Sequence, residues 1–217
     1  MPDRAEDRAR MVAAQLIARG IGDAAVLDAM GRVPREAFVP ADLAVEAYGD
    51  GPLPIGAGQT ISQPYVLALM VEALALRPGD RVLEVGSGCG YAAAVMARMG
   101  AQVFAIERHA ALAEPARTRL AALGFASVHL RVGDGQVGWP EAAPFDAILV
   151  SAAGSEVPRA LKDQLRDGGR LVIPAGPPGG QTLLRLIRRG PDRFETRDLG
   201  PVSFVPLLRG VGTADVP

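Results

Sequence analysis

Between Arg81 and Ile173 short β-branched runs alternate with helix-length segments, and this alternation restricts the chain to a mainly parallel sheet covered by helices. The strand-like runs are Arg81–Val85, Gln102–Ile106, Val128–Val132, Phe145–Val150 and Arg170–Ile173. Helical patterns fall at Tyr91–Met99, about 110–123 and about 157–165. Past the fifth run the rhythm changes. Thr182–Arg188 and Val202–Leu208 are strand-like with no helix-length insert between them, which predicts an antiparallel pair closing one edge of the sheet.

The first third of the chain has a different texture. Met11, Leu16 and Ile17 recur at helical spacing, Gly20 and Gly22 end that helix, and Asp23 is placed to cap a second short helix through Met30. Gly49 to Gly58 is too apolar for an exposed linker and too rich in Gly and Pro for a regular element, so it reads as an ordered loop over a site. A third helix is expected from about Gln63 to Leu76, stopped by Pro78-Gly79. With no repeat and no linker, the reading is one domain, 1–217, in which 1–62 form an extension over the site and 63–217 an α/β core.

Composition excludes several classes. A net charge of -1 leaves no overall basic footprint for nucleic acid. No apolar run is long enough to span a bilayer, and the mixed-sign segment Met1–Met11 is not that of a signal peptide. One cysteine, Cys89, forbids an internal disulfide, and with only His109 and His129 beside it little supports a metal site. The expectation is a cytoplasmic monomer with no metal, no membrane partner and no nucleic acid.

The strongest local feature is Leu83-Glu84-Val85-Gly86-Ser87-Gly88-Cys89-Gly90-Tyr91, with glycines on alternate residues between a strand and a helix. Such a loop lets a ligand approach the backbone at the carboxyl edge of the sheet, although alone it reads equally well as a tight turn. Two further features shift the balance. Glu107 ends the second strand 19 residues after Gly88, where a carboxylate can accept both hydroxyls of a ribose. Asp134, in Gly133-Asp134-Gly135, follows the third strand at the same edge and is a turn aspartate, a helix cap or a contact for the adenine end. Three such features on successive strand ends point to a nucleoside cofactor. The dinucleotide fingerprint would place its third glycine at Tyr91, and no Lys-Ser/Thr follows the loop, so neither a pyrophosphate nor a phosphate-loop ligand is indicated. The loop resembles the first motif of S-adenosylmethionine-dependent methyltransferases.

Longer stretches resemble one family within that class, the protein-L-isoaspartate O-methyltransferases. They include Val33-Pro34-Arg35-Glu36 with Phe38-Val39-Pro40, Leu53-Pro54-Ile55-Gly56, Gly138-Trp139-Pro140, Ala143-Pro144-Phe145-Asp146, Gly168-Gly169-Arg170 and Phe204-Val205-Pro206-Leu207. The specific block is Gln59-Thr60-Ile61-Ser62-Gln63-Pro64, which methyltransferases in general do not share. The resemblance implies a seven-stranded Rossmann-like methyltransferase fold. It also implies methyl transfer from S-adenosylmethionine, leaving S-adenosylhomocysteine, to isoaspartyl residues of damaged proteins and peptides. It implies Ser62 as the active-site serine and Ile61 and Val205 beside the peptide. It implies cofactor contacts from Gln63, Glu84, Gly86, Gly88, Gly90, Glu107, Asp134 and Gly135. From spacing alone, Ser62 two residues before Pro64 is an ordinary helix cap or first-turn residue.

Two other readings stay open at this stage. One keeps the cofactor and changes the acceptor to a nucleic acid or small molecule. Val150-Ser151-Ala152-Ala153-Gly154 lacks the Asn/Asp-Pro-Pro-aromatic motif of enzymes that methylate amines. The other is a non-catalytic adaptor that binds cofactor without turnover.

Overall fold

The computed structural model describes residues 4–212. The outermost parts of the 1–62 extension and of the 63–217 core, residues 1–3 and 213–217, lie outside the described residues. The helices are α1 Ala5–Met11, α2 Ala24–Arg32, α3 Pro64–Leu74, α4 Tyr91–Arg98, α5 Ala110–Ala122 and α6 Arg159–Asp163. The strands are β1 Leu53–Gly56, β2 Gln59–Ile61, β3 Arg81–Val85, β4 Gln102–Glu107, β5 His129–Val132, β6 Phe145–Val150, β7 Leu165–Ala175, β8 Gln181–Arg188 and β9 Phe194–Val202. Seven strands form one sheet in the order β5-β4-β3-β6-β7-β8-β9, and β1 and β2 form a separate hairpin.

The sheet is parallel from β5 to β7 and antiparallel from β7 to β9. Its central strands are apolar on both faces because both faces are covered. Every residue of β6 is buried. Ala147 and Leu149 face the layer built by α3, α4 and the N-terminal helices, while Ile148 and Val150 face the opposite layer with Leu161 and Leu171.

The N-terminal part follows its sequence signals closely. α1 continues through a π turn and a 3-10 turn to Arg19, and Gly20 in the left-handed region ends it. Asp23 caps α2, accepting from the Ala25 and Val26 N–H groups at 2.8 and 3.1 Å. The segment expected to be a loop, Gly49–Gly58, is half hairpin: β1 occupies Leu53–Gly56 and turns through Ala57 and Gly58 into β2.

The other departures lie on the far edge. α6 is shorter than expected, five residues at Arg159–Asp163, and β7 begins five residues early at Leu165. The antiparallel edge is present, but its last strand is Phe194–Val202 and not Val202–Leu208. β9 is an edge strand whose residues are exposed or only half buried, so it lacks the apolar alternation that marks a half-buried strand. Residues 203–208 form no strand of the sheet; Phe204 exchanges hydrogen bonds with the Gln181 side chain of β8, at 3.0 and 2.6 Å, and Pro206 bridges to Ala153.

Candidate active site

β3 is flanked by β4 on one side and β6 on the other, all parallel, so the chain order reverses between β3 and β6. Loops leaving the carboxyl ends of these strands diverge there and leave a crevice. It is a cavity of about 790 Å³ including its mouth, a size suited to a small-molecule ligand. The glycine loop forms its floor and the β1–β2 hairpin one wall, with residues 205–208 opposite.

The glycine loop is held by β4. Gly86 and Ser87 N–H both donate to the Ile106 carbonyl, at 2.8 and 3.1 Å. Glu107, buried at the end of β4, accepts from Gly88 N–H at 2.7 Å and from His109 N–H at 2.9 Å, one bond to each oxygen. Each oxygen keeps a second acceptor direction, and the side chain lines the cavity. Gly88 has a φ of +53°, and a Cβ there would stand 2.9 Å from Ile55 of the hairpin. A Cβ on Gly135 would overlap the Val85 side chain. Neither position has room for a side chain, so the backbone stays bare where these residues line the cavity. Positive-φ glycines, two acidic side chains near adjacent strand ends and an apolar wall fit the nucleoside and amino-acid parts of S-adenosylmethionine.

Of the expected site residues, the structure brings Ile61, Ser62, Glu84, Gly86, Gly88, Glu107, Gly135 and Val205 to this cavity. Gln63, Gly90 and Asp134 do not line it. Gln63 donates to the Asp50 carboxylate at 2.7 Å. Gly90 is the N-cap of α4, where a side chain would crowd Leu120. Asp134 accepts from Gln136 N–H and from Gly210 N–H, both at 2.8 Å, and so anchors the segment after residue 208. Thr60, Ser87, Arg108 and Ser151 line the cavity without having been singled out from the sequence. Ser151 could have been found, because it follows the strand that pairs with β3 across the switch point.

Ser62 is half buried, at the junction of the hairpin and α3. The N-cap of α3 is Gln63, and no side chain makes a capping hydrogen bond there. The ordinary cap role that spacing suggested for Ser62 is therefore not the one the fold gives it. Cys89 is buried against Arg119, which donates to its carbonyl, and burial pushes its thiol up to about 11. That makes it a packing group and not a thiolate nucleophile.

Glu84 is the other buried acid in the cavity. One of its oxygens has no hydrogen-bond partner. Burial, and secondarily the charge of Glu107, raise its carboxyl from 4.5 to about 8. Between those two values the folded chain keeps a proton that the unfolded chain has released, so this group makes stability fall as pH rises through the window. Glu84→Gln should therefore raise the thermal midpoint of the free protein near pH 8 and leave it almost unchanged near pH 5. A melting series across that range checks this, and a pH-independent difference would contradict it.

The chain matches the family described as protein-L-isoaspartate(D-aspartate) O-methyltransferase (PCMT) over residues 7–212. A protein-L-isoaspartate O-methyltransferase of Methylorubrum extorquens strain PA1 is 81% identical over 215 residues, covering 99% of this chain and 94% of that one. One from Methylorubrum populi is 82% identical over 207 residues, covering 95% and 97%. Among solved structures, a Plasmodium falciparum protein of the same description, in complex with S-adenosyl-L-homocysteine, is 29% identical with a TM-score of 0.82 and covers 93% of this chain and 98% of its own. With the fold, the glycine loop and the hairpin block all in place, the chain belongs to the protein-L-isoaspartate O-methyltransferase family.

Proposed function

We propose that the chain methylates the free α-carboxylate of L-isoaspartyl residues in proteins and peptides, with Ser62 positioning the acceptor. The observation that carries this reading is that Ser62 and the hairpin residues Gln59 to Ile61 line the same cavity as the glycine loop and Glu107. Acceptor and donor sites are thus continuous. S-adenosylmethionine, when bound, supplies an electrophilic methyl group on a sulfonium cation. Gly86, Gly88, Gly135, Glu84 and Glu107 are the residues proposed to hold it. Gln63, Gly90 and Asp134 support the site from behind, through Asp50, α4 and the segment after residue 208.

The acceptor needs little activation. A carboxyl of this type has an ordinary pKa near ~4 and is already ionised at neutral pH, so no general base is required. This agrees with the composition of the cavity, where no histidine lies. The Ser62 hydroxyl donates to the carboxylate and fixes its direction. Ile61 and Val205 flank the peptide, and Ile55, Leu67 and Leu207 keep water from the reacting atoms. Methylation turns a poor leaving group into a good one. The next peptide nitrogen can then close on the ester carbonyl, expelling methanol and forming a succinimide that water opens to aspartyl or isoaspartyl product.

The remaining readings concern setting. No helix among the described residues is long and apolar enough to cross a membrane, and no group of three or more potential metal ligands is found among them. The setting proposed with this reading is a monomer at work in the cytoplasm on protein substrates, with a single domain over 1–217. The proposal is tested by incubating an isoaspartyl peptide with the protein and S-adenosylmethionine and following its mass and retention. Gain of a methyl ester, then conversion to the aspartyl isomer, is the expected course. A methylated product stable to base would place the methyl elsewhere and refute it.

A further inference from the structure

Arg35 is fully buried, yet it has no acidic partner among the described residues. The side chains around it are Tyr91, Cys89 and Tyr48, and burial raises the pKa of all three, so each is neutral at pH 7. The nearest acid in sequence, Glu36, is taken by the Tyr48 hydroxyl and by Arg8. Burial pushes the Arg35 guanidinium pKa down, but an arginine stays charged at neutral pH. A lone buried charge is costly and is retained only where its bonds do something a neutral residue cannot.

Those bonds are specific. Arg35 Nε donates to the Ala47 carbonyl at 2.7 Å, and Nη2 donates to the Ser62 carbonyl at 2.9 Å. The Tyr91 ring, at the start of α4, lies with its centroid 5.1 Å from the guanidinium carbon. Ala47 and Ser62 bracket the segment that carries the β1–β2 hairpin. One planar fork therefore pins both feet of the wall that closes on the glycine loop, and one of those feet is the residue proposed to meet the acceptor.

We propose that Arg35 is a positioning residue for methyl transfer, clamping the base of the hairpin so that Ser62 faces the acceptor at a fixed height above the glycine loop. It rests on the role given to Ser62 above. Lysine keeps the charge but cannot bridge two carbonyls with a rigid fork. Misplacing an orienting group by about 1 Å costs roughly a hundredfold.

The test compares wild type, Arg35→Lys, Arg35→Ala and Ser62→Ala on an isoaspartyl peptide, with cofactor affinity measured by calorimetry and thermal midpoints taken in parallel. Arg35→Lys should lose about ten- to a hundredfold in kcat while its cofactor Kd stays within about threefold. Guanidinium chloride, at concentrations well below unfolding, should restore part of the turnover of Arg35→Ala and none of that of Ser62→Ala. If Arg35→Ala does not fold, Arg35→Lys decides alone. Wild-type kcat in Arg35→Lys would overturn the proposal. So would kcat and cofactor affinity falling together in step with the melting temperature, which marks a merely structural role. A wild-type protein inactive on the isoaspartyl peptide would instead refute the reading of Ser62.

Discussion

Ser62→Ala should lower kcat/KM for an isoaspartyl peptide by roughly ten- to a hundredfold and leave cofactor affinity within about threefold of wild type, the loss expected when one hydrogen bond to a charged group is removed. The asymmetry follows from position. Ser62 lines the cavity from the hairpin side, whereas the residues proposed to hold the cofactor lie at and beyond the carboxyl ends of β3, β4 and β5. Its backbone carbonyl, which accepts from Arg35, survives the substitution, so the hairpin should keep its place. Melting temperature should therefore change little, since the hydroxyl caps no helix. Turnover at the wild-type rate, or an equal loss of turnover and cofactor affinity, would remove Ser62 from the role assigned to it.

Glu107→Ala should show the opposite split. The Glu107 carboxylate holds Gly88 and His109 N–H groups and faces the cavity with its remaining acceptor directions. Its removal deprives a ligand of a buried anionic acceptor and leaves two N–H groups to find new partners, at about 1–3 kcal/mol for each buried group left unpaired. Cofactor Kd should rise by about a hundredfold or more, with a melting point several degrees lower. Turnover at saturating cofactor should suffer much less. Glu107→Gln keeps one acceptor oxygen and should fall between the two. Calorimetric titration with S-adenosylhomocysteine measures this directly, and an unchanged Kd would show that Glu107 only braces the glycine loop.

The parallel half of the sheet was legible because burial on both faces leaves a plain mark. Arg81–Val85 and Phe145–Val150 were expected at their observed limits; Phe145–Val150 is apolar but for Asp146, and Arg81–Val85 carries Val82, Leu83 and Val85 between turn formers. The edge was not. β9 carries Glu195, Thr196, Arg197 and Asp198 in exposed positions and draws its order from backbone pairing with β8, which side-chain pattern does not record. Val202–Leu208 imitated a strand because it is apolar, and it is apolar because Val205 and Leu207 line the cavity.

The site was legible to a similar degree. Glycines with a following strand-end acid announce themselves by spacing, and Glu107 does bond to the loop that spacing tied it to. Ser62 was not readable from local pattern, which pointed to a cap; its place depends on a hairpin folding back over the glycine loop. Arg35 was invisible for the same reason. Its two acceptors, Ala47 and Ser62, lie 12 and 27 residues away, and both are backbone carbonyls that leave no trace in the sequence.

The central claim is that the acceptor is an isoaspartyl carboxylate. The most direct measurement uses two peptides identical except for aspartyl or isoaspartyl linkage at one residue, each incubated with the protein and S-adenosylmethionine labelled in its methyl group. Base-labile label is expected on the isoaspartyl peptide alone. Equal labelling of both peptides, or label on neither despite demonstrated cofactor binding, would contradict it.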